Sequence, residues 1–179
     1  MRTPVKIPSW ILSSVGLFLT GLLLAGAMGG ITNSINGWIN PLYVVAVMRW
    51  QSMDDVWWAG VAEGVASGVM RGFVLCAIFT LGIALISRGE CPLSLSLRYL
   101  FTIFGSVSVC WTVGGLFSVV LSLLFPQFYR FFFFGMPNEV GDVIRYAWVG
   151  GSIWGAQLGG VGSVFVALAR FNTRWKRRF

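Results

Sequence analysis

Histidine does not occur in this sequence of 179 residues. Its absence removes the commonest general base near neutral pH, the usual zinc and copper ligand, and the usual axial ligand of haem. Acids are scarce as well: Asp54, Asp55, Glu63, Glu90, Glu139 and Asp142 are the whole supply. Only Glu63 falls within an apolar run, so no two carboxylates can divide acid and base roles in a buried site. GxSxG, HExxH and phosphate-loop patterns are missing. The expectation is a chain that is not an enzyme, with no catalytic residue, no metal site and no cofactor.

The cysteines, Cys76, Cys91 and Cys110, form no CxxC pair and have no ligand spacing. The first and last lie in apolar runs and are read as small hydrophobes. Charge is thin throughout. At 11% charged residues, the chain has under half the ~25% of a soluble domain. Too little polar surface is left to cover a sphere, so much of the exterior must face lipid.

What is abundant fits that solvent. Hydrophobic residues make up 56% of the chain, with nine Trp and fifteen Phe, rings that collect at membrane interfaces. Four apolar runs stand out: about Trp10–Ile31, Ala59–Ser87, Tyr99–Phe125 and Tyr146–Ala169. Each can cross ~30 Å of hydrocarbon as a helix, and helices satisfy their own backbone in lipid. The first run, after a basic start and with Ala25-Gly26-Ala27 inside it, also has the form of a signal peptide. It is read as a retained helix because it is one half of a repeated unit.

That unit is visible in spacing. Gly29-Gly30 precedes Pro41 by the interval at which Gly114-Gly115 precedes Pro126, and Tyr43 or Phe128-Tyr129 follows the proline. Further on, Gly64, Gly68 and Gly72 form one row, and Gly151, Gly155 and Gly159 another. Glycines four apart line one helix face and admit a second backbone, which is how helices pack where no hydrophobic drive exists. The expected fold is therefore an all-α integral membrane protein of four transmembrane helices, a single membrane domain over 1–179. It consists of two tandem parallel-repeat helical hairpins, 9–87 and 96–170, related by an axis along the membrane normal. A basic cytoplasmic tail, 171–179, follows. The glycine helices are expected either to pack on each other or to receive their hairpin partners. The Pro41 and Pro126 segments, the latter leading into Phe131–Phe134, are read as short interfacial helices on the outer side. Ser52 with Asp55 resembles a capping box for the second membrane helix, and Asn138 is read as the cap of the fourth. Asn33, Asn36 and Asn40, with Gly37, are read as a polar cluster just outside the first helix.

Arginine and lysine set the orientation. Arg2, Lys6, Arg88, Arg98, Arg170, Arg174, Lys176, Arg177 and Arg178 fall on one side of four crossings, and Arg49, Arg130 and Arg145 on the other. The bias puts both termini in the cytoplasm, with a bacterial inner membrane as the expected location. Arg174, Lys176, Arg177 and Arg178 are expected to meet lipid headgroups. A net charge of +7 without an aromatic-plus-basic reading module does not point to nucleic acid.

Arg71, in the middle of the second run, needs an explanation. A charge at the bilayer centre costs about 2.5–3.5 kcal/mol on insertion scales and usually faces protein. Glu63 is eight positions earlier, about 12 Å along the axis, so direct pairing is strained. Gln157, backbone carbonyls and another subunit are open as partners, as is snorkelling to the headgroups. Membrane lipids and other membrane subunits are the expected partners; the sequence sets no oligomeric state. Missing catalytic groups, glycine faces and interfacial aromatics together suggest a non-catalytic structural or assembly subunit of a larger membrane complex. The alternative is a small ion or solute transporter or channel with Arg71 in the pathway.

Overall fold

In a computed structural model, residues 8–48, 54–132 and 135–177 are described. They form α1 (Ser9–Ile39), α2 (Pro41–Met48), α3 (Val56–Ser87), α4 (Leu93–Leu124), α5 (Pro126–Phe132) and α6 (Val140–Lys176), with no strand among the described residues. Four helices, α1, α3, α4 and α6, are long and apolar enough to cross a membrane, which points to an integral membrane protein. With 31 to 37 residues each, they run roughly 46–56 Å at 1.5 Å per residue. That exceeds ~30 Å of hydrocarbon, so their ends reach the headgroup zone. Leu23, Met70, Leu85, Phe117 and Leu124 are strongly exposed on their outward faces, as surfaces solvated by lipid would be.

Proline sets two of the boundaries. Asn40 and Phe125 each end a long helix outside the α region, Asn40 in an extended conformation, and precede the proline that opens the next short helix. A residue before proline is pushed out of the α region, while proline itself suits a first helical position. Asn40 also caps α2, its Oδ1 accepting from the Tyr43 N–H at 3.2 Å. Between α3 and α4 the chain reverses through Arg88 and Gly89, both at positive φ, and the Gly89 N–H closes on the Ala84 carbonyl at 2.9 Å. This left-handed exit satisfies carbonyls that the helix end would otherwise leave bare.

Several expectations need correction. α1 runs eight residues beyond Ile31, so Asn33, Asn36 and Gly37 lie inside it and Asn40 is its C-cap. Interhelix hydrogen bonds, described below, offset part of the cost of carrying asparagine in the span. α6 continues through Lys176, so the expected tail is mostly the last turns of a helix. Asp55 is itself the N-cap of α3, accepting from the Trp58 N–H at 3.2 Å; Ser52 lies outside the described residues. Asn138 does not cap α6, which starts after Glu139 without a side-chain cap. Phe133 and Phe134 of the aromatic run, Arg2, Lys6, Arg49 and Arg178 also fall outside the described residues.

α1 packs along α3 and α4 along α6, while contact between these two pairs, through α3–α6 and α1–α4, is sparser. The pairs meet at two levels. At the end bearing the Arg88–Pro92 connection, Leu17, Phe79, Ile83, Leu100, Ile103, Val164 and Phe171 form an apolar core drawn from all four long helices. At the end bearing α2 and α5, Tyr43, Tyr146 and Val149 form a second core with Ile39 and Ile153.

Candidate functional site

The glycine rows are used inside each helix pair. A Cβ on Gly64 would run into the Gly29 carbonyl oxygen, one on Gly68 into the Ala25 carbonyl oxygen, and one on Gly72 into the Ala25 side chain. In the other pair, a Cβ on Gly151 would meet Ser118, one on Gly155 the Cys110 carbonyl oxygen, and one on Gly159 the Cys110 side chain. From the opposite helix, a Cβ on Gly114 would lie 2.8 Å from Gly155 Cα. Backbone therefore rests on backbone at both crossings, the close approach that glycine permits in lipid. Of the two arrangements open to these helices, each receives its hairpin partner.

Polar side chains bridge the helices above these crossings. Asn33 Nδ2 donates to the Gly60 carbonyl at 3.0 Å, and the Trp57 indole N–H to the Ser34 carbonyl at 3.2 Å. Asn36, only 1% exposed, accepts from Ser152 Oγ at 3.2 Å and so ties α1 to α6, while its Nδ2 has no acceptor. The Tyr129 hydroxyl pairs with Ser118 and donates to the Ala147 carbonyl at 3.3 Å, joining α5, α4 and α6. The Tyr43 and Tyr146 rings lie 4.8 Å apart. Burial, with Tyr146 and Tyr129 adding to it, pushes the Tyr43 hydroxyl up to about 12; burial raises Tyr129 too, against a lowering by Ser118. Sequence reasoning missed this cluster. Of the four tyrosines in the chain, all but Tyr99 gather here, and the position of Tyr43 and Tyr129 just after a proline was the available signal.

Between the two levels of contact the helix pairs part around a cavity of ≈ 460 Å³, walled by α1, α3, α4 and α6. That size falls within the ~300–1,000 Å³ of small-molecule sites. Arg71 and Gln157, assigned as intramembrane polar residues from opposite halves of the sequence, both line it. Arg71 is the sixteenth residue of the 32-residue α3, about 22 Å from either helix end. Arg71 is exposed, Gln157 half-buried, and neither makes a hydrogen bond or ion pair among the described residues. The expected polar contact for Arg71 is thus not found among the described residues. Glu63 is half-buried on the same helix, makes no ion pair among the described residues, and is not part of the cavity wall. Among the described residues no group of three or more Cys, Asp or Glu could hold a metal ion.

The basic residues collect at the other end of the molecule. Arg174, Lys176 and Arg177 are exposed at the end of α6, beyond an aromatic anchor in which Phe171 packs edge-on to Tyr99 at 5.4 Å and stacks on Trp175 at 5.4 Å. Comparison with protein-family models, with curated proteins and with solved structures gives no match.

Proposed function

We propose that the chain is a non-catalytic structural or assembly subunit of a larger membrane complex. With the six row glycines engaged inside the helix pairs, the docking face in this reading moves to α4. The single observation that carries it is the exposed stripe of Thr102, Gly105, Ser108 and Thr112. A Cβ on Gly105 would meet nothing within 4 Å. The three hydroxyls bond their own helix at 2.8, 3.0 and 3.1 Å, so this face offers another helix close approach without unsatisfied polar groups.

Two tandem copies of one hairpin underlie this reading. Ala25, Gly29 and Asn33 correspond to Cys110, Gly114 and Ser118 at one constant offset, and Gly64, Gly68 and Gly72 to Gly151, Gly155 and Gly159 at an offset two residues longer. The excess of Arg and Lys at the α6 end supports cytoplasmic termini and, with them, an outer-interface position for α2 and α5; a bacterial inner membrane is the proposed location. A reporter active only outside the cytoplasm should be silent when fused after Phe179, and activity there would reverse the orientation.

A second reading, a small ion or solute transporter with Arg71 in its pathway, is favoured by the cavity. Purification in mild detergent at native abundance separates the two. Other membrane chains at fixed stoichiometry, lost on Gly105→Leu, support the subunit. A lone species that moves solute in liposomes overturns it.

A further inference from the structure

The cavity wall is mostly apolar, formed by side chains such as Leu75, Phe79, Ile103, Phe104 and Val107. Its polar members on α1 and at the start of the α3 wall are already satisfied. Thr32 Oγ1 donates to the Met28 carbonyl at 2.8 Å, Asn33 Nδ2 to Gly60, and Ser67 Oγ to the Gly64 carbonyl at 3.3 Å. That leaves Arg71 and Gln157 with no partner among the described residues, and the Trp111 indole N–H, on the same wall, with no acceptor.

Arginine does not escape an apolar environment by losing its proton. It needs an anion, and the chain supplies none at this depth. Asp54, Asp55, Glu139 and Asp142 stand at the α2/α5 end and Glu90 at the other, while Glu63 is two turns away on the same helix. The missing anion has to come from outside the chain, and the apolar wall requires that it be attached to an apolar body. Size narrows the class further. The ≈ 460 Å³ corresponds to about 15 water-sized groups or more, room for one hydrocarbon chain along the wall. A carboxylate also matches the planar guanidinium fork, with two parallel N–H···O bonds and one charge against one charge. We infer that the cavity is a binding site for a single-tailed, membrane-dissolved carboxylic acid, its ionised head on Arg71 with Gln157 as a further donor and its tail along the apolar wall. The site holds whether the chain works alone or within a complex.

Full-length protein in bilayer discs of uncharged phosphatidylcholine, titrated with hexadecanoate, tests this. Saturable binding of one molecule per chain is expected, weakened by about tenfold or more in Arg71→Gln and partly retained in Arg71→Lys. Hexadecanol, with the same tail and no charge, should bind as weakly as hexadecanoate does to Arg71→Gln. Should Arg71→Gln fail to fold, Ala156→Phe fills the cavity from α6 with the charge left in place, and binding should be lost there too. Hexadecanol binding as tightly as hexadecanoate, binding unaffected by Arg71→Gln or Ala156→Phe, or displacement by one equivalent of two-tailed phosphatidylglycerol would each overturn the assignment.

Discussion

Gly29 rests on Gly64 and Gly68 in the α1–α3 pair, and Gly114 rests on Gly151 and Gly155 in the α4–α6 pair, yet the residue before the last glycine of each row is Arg71 in one and Leu158 in the other. The crossings themselves leave little choice of side chain, because the Cβ place at each glycine is taken by a facing carbonyl, a Cα or the side chain of Ala25, Asn33, Cys110 or Ser118. The position beside them is free to differ. Both positions are exposed, but in α3 the residue lines the cavity and carries a charge, whereas in α6 it lies off the cavity wall and carries leucine. One contact is required mechanically in both pairs, and the other is available for chemistry in only one. Asn33 and Ser118 make the same point at the next turn up. They hold corresponding places, but Asn33 bonds the facing helix at Gly60 while Ser118 bonds Tyr129 of α5.

The largest test of this comparison is at the crossings. Gly68→Val and Gly155→Val drive a side chain into Ala25 and Cys110 backbone, which no rotamer change relieves. Each should cost about 3 kcal/mol or more, read as loss of the monodisperse detergent-solubilised peak on heating. Gly105→Val, into open space, should stay within about 0.5 kcal/mol of the parent. If only one crossing proved sensitive, the two pairs would not share a mechanism.

Next comes the charge. Leu158→Arg places a cation on the outward face of α6, and it should lower insertion by about 2.5–3.5 kcal/mol in a glycosylation-mapped insertion assay. Equal insertion of the parent and Leu158→Arg would mean that the cavity is not what makes Arg71 tolerable.

A smaller effect separates the polar end from the apolar one. The Tyr43 hydroxyl is raised to about 12 from the ordinary ~10, so the folded state holds its proton more tightly than the unfolded chain does. The resulting stability is complete below pH ~10 and is lost as pH climbs toward the folded value. A tyrosinate absorbance titration should show a late-titrating fraction that shrinks in Tyr43→Phe. Four tyrosines titrating together near their ordinary value would remove the buried cluster from the account.

Four helices were legible in the sequence because an apolar run is a local signal that declares a span, whereas glycines four apart declared a close-packing face without saying which helix it would meet. The far end of α1 was not legible. Asn33 and Asn36 read as lying outside the helix because the partners they bond, Gly60 and Ser152, are distant in sequence and only the tertiary fold brings them near. The start of α4 was hidden likewise: Ser94, Ser96 and Arg98 dilute the apolar signal, although Ser96 pairs with Cys91 at 3.2 Å. Arg71 could be flagged by depth alone. That it would share a cavity with Gln157, with no partner among the described residues, depends on how far apart the two helix pairs stand, and no spacing within either pair encodes that distance.

The central claim is that each glycine row closes its own hairpin rather than joining two chains. A Cβ on Gly26 would lie 2.9 Å from Val69 Cγ2, so cysteines at these two positions fall near the ~3.5–4.5 Å Cβ separation of a disulfide. With Cys76, Cys91 and Cys110 replaced by alanine, Gly26→Cys/Val69→Cys should oxidise in native membranes to an internally bridged monomer, seen as a reductant-sensitive mobility change with no covalent dimer. Formation of the covalent dimer instead, or no bridge at all, would contradict the account.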